Sequence, residues 1–235
     1  MNKKLFQHST IGALMVGMFE GTYQLDELLE KGNLGIGTLH GLDGELVIVD
    51  DRAYQVTVEG EVVELSGDEM TPYAAVTAFD TENEFTIQGK KMKDSLQEKL
   101  LEHFSSQNIF QAVKISGIFD FMHCRSVEKQ EKPYPKLVDV AADQAEFKRE
   151  SISGIIVGFY TPEIFGGVSV PGFHLHFLSE EKDFGGHVLD FSIEEGNVEW
   201  QGITMLEQHF PVEDESFMTE KMDYSNLKEE IEQAE

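Results

Sequence analysis

Cysteine is nearly missing from this sequence: Cys124 stands alone in 235 residues. One thiol excludes an intrachain disulfide framework and fits a reducing cytoplasm. Basic residues are scarce as well. Eighteen Lys and Arg face 44 Asp and Glu, for a formal net charge of −26. That balance argues against nucleic acid, whose binding depends on Lys and Arg neutralising phosphate, and against anionic membranes. Its ordinary consequence is a solvated, soluble surface. Long apolar runs are also wanting. The run Ile11 to Phe19 follows Lys3 and Lys4, but it is short, polar Gln7, His8, Ser9 and Thr10 interrupt its approach, and no small-residue cleavage signal follows. Nothing approaches the roughly 18 apolar residues that span a bilayer. We expect a soluble, cytoplasmic protein with no nucleic-acid or membrane partner. A composition of 40% apolar residues with 17 Phe is ample for a packed interior.

Local patterns predict an α+β fold of mixed or antiparallel sheets with few helices. "YQLDELLEKGN" reads as a short helix stopped by Gly32. The stretch from Leu34 to Leu65 reads as an antiparallel meander punctuated by Leu-Asp-Gly, Asp-Asp and Glu-Gly. "TPYAAVTAF" fits an edge strand or a helical turn. "DSLQEKLLEHFSS" is the clearest helix, with Asp94 or Ser95 as its cap. "IFQAVKISGIFDFMHCRSV" alternates like one strand or two, "EKQEKPYPKL" is a loop, and "VDVAADQAEFKRE" is a short helix. "SISGIIVGFYTPEIF" is a buried strand ending at Pro162, and "HVLDFSIEEGNVEWQG" is a hairpin turning at Glu195-Gly196. The acidic tail, with "YSNLKEEIEQAE", is a helix or a mobile end. Two closely packed sub-domains are expected, a β-rich half over 1–112 and a second over 113–209, followed by the tail 210–235.

The chemistry concentrates in "VPGFHLHFLSEEKDFGGHVLDF", where His174, His176 and His187 fall within fourteen residues. Residues i and i+2 of a strand share a face, with Cα atoms roughly 6–7 Å apart. His174 and His176 therefore project side by side, and "SEEKDFGG" is short enough to return His187 on a neighbouring strand. Three nitrogens with an open fourth position suit a catalytic rather than a structural Zn²⁺, although imidazole serves Fe, Ni and Cu too. The competing reading of H-x-H is a solvated strand face. "HLHFLSE" is also H-x-H-x₃-E, which resembles the first metal motif of a cupin; that reading would need His209 as its downstream ligand. His8, His40, His103, His123 and His209 have no converging partner and are read as structural or solvent-exposed.

The histidine stretch resembles the metal-binding segment of the α-acetolactate decarboxylase family, PG-aromatic-H-x-HF…GGHVLD. Three further stretches match that family in order: "GNLGIGTLHGLDGELVIVD" (Gly32 to Asp50), "KISGIFDFMHCRSVEKQEKPYPKL" (Lys114 to Leu137) and "SGIIVGFYTPEIFGGVSV" (Ser153 to Val170). Ile155 departs from the Thr of many members. The resemblance implies a dimeric α+β enzyme carrying one zinc on His174, His176 and His187. It implies Glu45 as a carboxylate beside the metal, Thr38 as a polar pocket residue and Arg125 near the substrate carboxylate, with a part in proton donation. It also implies a tail glutamate reaching the metal; of Glu229, Glu230, Glu232 and Glu235, the place next to Ala favours Glu235. The implied reaction is decarboxylation of 2-acetolactate to acetoin, with the neighbouring ketone taking the electrons as an enediolate. A cupin-like oxygenase or isomerase, or a non-catalytic metal- or small-molecule-binding module, are the alternatives.

Overall fold

A computed structural model describes residues 3–234. The chain begins with β1 (Lys4–His8), α1 (Ile11–Met15), β2 (Tyr23–Gln24) and α2 (Leu25–Leu29). It then runs through β3 (Leu34–Thr38), β4 (Glu45–Val49), β5 (Arg52–Val56) and β6 (Val62–Glu64). Next come β7 (Met70–Thr71), β8 (Tyr73–Thr77), β9 (Asn83–Met92), α3 (Lys93–His103) and the long β10 (Gln111–Ser126). The remainder is α4 (Leu137–Ala141), β11 (Ala145–Thr161), β12 (Gly172–Ser179), β13 (Gly185–Gly202), β14 (Met205–His209), α5 (Glu215–Thr219) and α6 (Leu227–Ala234).

Among the described residues the strands form two main sheets. The first has seven, in the order β14-β1-β8-β3-β4-β5-β6, and is mixed because β14 lies parallel to β1. The second has five, β10-β11-β12-β13-β9, and β10 also pairs with β13. That extra pairing closes β10, β11, β12 and β13 into a small antiparallel barrel, which removes their free edges. Inside it, the Phe119 ring meets Phe177 and Phe191 edge-on at 5.2 and 5.8 Å, while Leu96 and Leu100 of α3 pack against the same cluster. A second core joins the sheets: Val47, Val49, Tyr54 and Val56 meet Val157, Phe159 and Leu178. Burying apolar side chains from both sheets in one layer fixes the two faces against each other, and the site is built along that seam.

The α+β class and the meander β3 to β6 agree with the pattern of the sequence. Several local expectations do not. "TPYAAVTAF" is neither edge strand nor helix; β8 lies between β1 and β3 in the middle of its sheet. The predicted cap of α3 is not used. β9 runs straight into the helix, Met92 takes the cap position without a side-chain bond, and Asp94 sits in the first turn, where it still favours the helix dipole. The helix expected from Val138 covers only Leu137–Ala141, because the chain from Ala145 is drawn into a long ladder with β10. The hairpin expected at Glu195-Gly196 is absent, and β13 continues through both residues. Gly196 is instead a point of close approach, opposite Gly117 of β10, where a Cβ would lie 2.4 Å from the Ser116 carbonyl oxygen. Glu-Gly therefore marks barrel closure and a nearby bulge rather than a turn.

His8 and His209 are not unpartnered, as the sequence reading has them. The parallel β1–β14 ladder sets them opposite each other, with Nδ1 to Nδ1 at 2.9 Å, and His8 Nε2 lies 2.8 Å from the Thr22 hydroxyl. Burial, then the neighbouring His209, lowers His8 from 6.5 to about 3. A histidine depressed in the folded state takes up its proton first in the unfolded chain, so stability rises with pH across 3 to 6.5 and falls as pH drops through it. The melting temperature is accordingly expected to fall between pH 7 and pH 4, and to fall less steeply in His8→Gln. Thermal melts at fixed ionic strength check this; equal slopes for the two proteins would refute it.

Candidate metal centre

His174 and His176 lie on one face of β12, and His176 stands directly opposite His187 on β13. Ser179 ties the connecting turn. Its hydroxyl donates to the Asp183 carboxylate at 2.9 Å and accepts from the backbone N–H groups of Asp183 and Phe184 at 3.0 and 3.1 Å. The three ring centroids are 5.0, 5.3 and 5.5 Å apart, and one ligand nitrogen from each imidazole lies within 4.8 Å of the other two.

Arg125 reaches the same place from β10, where it pairs with His187 across the ladder. Gly186 makes that pairing possible. Its φ of +129° is unfavourable for side-chain-bearing residues, and a Cβ there would sit 2.4 Å from the Arg125 carbonyl oxygen. Gly186→Ala is expected to lose about 2 kcal/mol or more of stability, with activity falling further than stability because His187 and Arg125 move apart. Denaturant midpoints and turnover on the folded fraction measure both effects.

The opposite wall comes from the first sheet. Tyr73, Thr38 and Glu45 are successive cross-strand partners on β8, β3 and β4, so their side chains share one face. β4 packs against β12 and β13, which turns that row toward the histidines. A Glu45 carboxylate oxygen lies 3.4 Å from His176 Nε2. The Thr38 hydroxyl donates to the Gly44 carbonyl at 2.7 Å, leaving its oxygen lone pairs as acceptors. His176 Nδ1–H donates to the Leu46 carbonyl at 2.8 Å, which fixes the tautomer with the lone pair on Nε2.

The electrostatics suit a cation. Burial, and then Arg125, lowers His174 to about 3. Burial also holds His176 and His187 well below their ordinary value, helped by His174 in the first case and Arg125 in the second. All three are neutral imidazoles with lone pairs to give. His176 Nε2 is buried and makes no hydrogen bond, an expensive condition for a ring nitrogen unless it serves as a ligand. Cys124, next to Arg125, does not compete: burial and then Glu45 push its thiol far up, so it stays protonated and inert. The residues fit a divalent or similar first-row metal ion.

The cavity between these walls is small, about 30 Å³. Its polar side is the three histidines with Thr38, Glu45 and Arg125, and its apolar side is Ile11, Leu14, Leu42, Val127 and Leu137, with Tyr73 between. Sequence reasoning missed the apolar side entirely; only the adjacency of Tyr73 to Thr38 through strand pairing could have pointed to any of it. Glu235 lies outside the described residues. Glu229, Glu230 and Glu232 are on α6 and do not line the cavity; Glu230 pairs with Lys136 at 2.6 Å. His209, the cupin ligand, is on β14 with His8 and takes no part in the cluster. His123 and His40 lie beside Glu146 and Glu20, and His103 bonds to the Lys99 carbonyl.

A buried trio of neutral imidazoles on a closed barrel, faced by a carboxylate and a guanidinium across a small cavity, defines a site that could hold a metal ion. The comparisons with known proteins give this class its particulars. The family model for alpha-acetolactate decarboxylase matches residues 5–224. An alpha-acetolactate decarboxylase of Lactococcus lactis subsp. cremoris is 46% identical over 99% of this chain and 98% of its own. A crystal structure from Staphylococcus aureus, described as similar to alpha-acetolactate decarboxylase, superposes with a TM-score of 0.97 at 46% identity, covering 99% of this chain and 100% of that one. The Bacillus subtilis strain 168 enzyme gives a TM-score of 0.96 at 31% identity, with 99% of both chains covered. The chain belongs to the alpha-acetolactate decarboxylase family. It is an enzyme, a carboxy-lyase acting on acetolactate.

Proposed function

We propose that the three histidines hold zinc and that the enzyme converts 2-acetolactate into acetoin and CO₂. The observation that carries this reading is the buried set of neutral His174, His176 and His187 facing Glu45 and Arg125 across one small cavity. The substrate has a carboxylate, a tertiary hydroxyl and an adjacent ketone. Bound in the site, a dication supplies Lewis acidity toward the hydroxyl and ketone oxygens.

Arg125 is the cationic side chain of the cavity wall. Its planar fork draws in the carboxylate and orients the bond to be broken. When that bond breaks, its electron pair passes to the neighbouring ketone and leaves an enediolate. Glu45 accepts the hydroxyl proton at a carboxylate oxygen and steadies the developing charge distribution. Thr38, with its proton committed to the Gly44 carbonyl, offers an acceptor to the substrate hydroxyl. The carbon that lost CO₂ then needs one proton on one face. Glu45, once protonated, is the better donor, because a guanidinium gives up a proton with difficulty, and one further proton taken up from solvent restores the hydroxyl of acetoin. The apolar side excludes water, which strengthens each of these interactions.

The proposal also includes a cytoplasmic setting, supported by the single buried thiol, and a homodimer, supported by exposed Met205 and Phe210 at the edge strand β14. Among the described residues no helix is long and apolar enough to cross a membrane. Purified zinc-loaded protein mixed with racemic 2-acetolactate should produce acetoin well above the spontaneous background. A folded, zinc-loaded sample that binds the acid yet yields no acetoin would leave a binding module in its place.

A further inference from the structure

The cavity beside the histidine trio, about 30 Å³, has room for about two waters. A five-carbon acid cannot enter it until part of the wall moves. The polar wall stands on paired strands of the two sheets. On the apolar side every residue of α1 is buried, and the turn that carries Leu42 is held by Thr38 on the Gly44 carbonyl and Gln55 on the Asp43 carbonyl. The segment 128–136 is different. It joins two wall residues, Val127 and Leu137, and none of its own residues is buried.

Three lysines tie this segment to three different neighbours. Lys129 pairs with Asp43 in the β3–β4 turn at 3.1 Å, Lys132 with Glu20 beyond α1 at 2.5 Å, and Lys136 with Glu230 of α6 at 2.6 Å. In a chain where 18 basic residues face 44 acidic ones, three matched cations in one loop are more than solubility asks for. All three lysines are exposed, so each pair is weak and sensitive to salt. The Gln130 N–H also donates to the Gly41 carbonyl at 2.6 Å, and the Tyr134 ring meets Phe19 at 5.4 Å. Both ends of the segment are firm by contrast. The Ser126 hydroxyl donates to the Val56 carbonyl at 2.8 Å and pins the end of β10, while Leu137 opens α4.

We propose that segment 128–136 is a lid over the histidine cavity, latched by these three ion pairs, which opens to admit the substrate. The inference rests on the proposed metal site and its substrate. Opening draws Val127 and Leu137 off the cavity, while Arg125 and the histidines stay on the barrel ladders. Moving elements of this kind are drawn from segments with few buried contacts. An exposed ion pair shifts the closed population only about 2-fold, so three together shift it about 10-fold. Latches of that strength keep the closed cavity dry and still let the lid open within a turnover.

The test follows removal of zinc from the loaded full-length protein by 1,10-phenanthroline, an uncharged chelator too large for the closed cavity. Wild type is compared with the triple variant Lys129→Met, Lys132→Met, Lys136→Met. The variant should release zinc about 10-fold faster, and wild type should approach that rate as salt rises from about 0.05 M to about 0.5 M. The variant itself should respond little to salt. Exchanging one latch, Lys136→Glu with Glu230→Lys, should restore the slow, salt-sensitive release, and it serves as the second variant if the triple one folds poorly. Lys228→Met removes the exposed pair with Glu163, away from the lid, and should release zinc at the wild-type rate. Release from the folded triple variant within about 2-fold of wild type would overturn the inference, as would equal acceleration in Lys228→Met. A release rate independent of phenanthroline in every protein would overturn it too, since the chelator then never reaches the ion. Folded wild-type protein that takes up no zinc would overturn the metal reading itself, a result distinct from unchanged release in a loaded series.

Discussion

His176→Ala is expected to bind no metal at the site and to lose on the order of 10³-fold or more in kcat/KM on acetolactate. His176 is the central member of the trio. It sits opposite His187 in the ladder, two residues from His174, and its Nε2 is 3.4 Å from Glu45. Its Nδ1 is already committed to Leu46, so no tautomer change can substitute for it. Alanine removes a donor from a site that has three and leaves Glu45 facing a gap. Metal analysis of the purified variant, beside its circular dichroism, separates loss of the ion from loss of the fold. His209→Ala is the matched control: it removes an imidazole from the far edge of the first sheet and should leave metal content at the wild-type level. Full metal occupancy in His176→Ala, or metal loss in His209→Ala, would contradict the assignment.

Arg125→Lys is expected to keep its metal and still lose on the order of 10²-fold in kcat/KM, comparable with removing one well-placed donor to developing charge. The arginine is 4% exposed and projects from the end of β10 beside His187. Lysine preserves the charge and the general field. It lacks the planar pair of donors that fixes a carboxylate in one orientation, and the direction of the breaking bond depends on that orientation. The loss should appear in kcat as well as in KM. Steady-state acetoin production with metal content measured in the same sample checks it; activity within about 3-fold of wild type would mean that Arg125 contributes charge alone.

The histidine cluster was the most legible feature of the chain because its geometry is local. H-x-H on a strand, a short glycine-bounded return and a third histidine leave little freedom, and β12 and β13 realise that arrangement directly. The pairing of Glu45 and Thr38 is likewise local, since β3 and β4 are consecutive strands joined by one turn. What could not be read depends on long-range closure. β10, β11 and β13 run for 16, 17 and 18 residues because each is a stave of one barrel, and alternation alone does not say whether a strand stops or continues. Glu195-Gly196 carries ordinary turn chemistry and is used for close approach to Gly117 instead. β8 has the small and polar residues of an edge, Ala74, Ala75 and Thr77, yet lies in the middle of its sheet. The apolar side of the cavity is assembled from α1, the β3–β4 turn, the segment after β10 and α4, segments that sequence order scatters over more than a hundred residues.

In the proposed reaction acetolactate loses CO₂ at one metal ion held by His174, His176 and His187. It is tested most directly by stripping the purified protein with chelator and titrating zinc back, with bound metal and acetoin formation measured on the same samples. The account predicts no activity above background in the folded metal-free protein, and a linear return of activity that reaches its plateau at one ion per chain. Full activity in the metal-free protein, or a plateau reached with the trio still unloaded in His176→Ala, would contradict it.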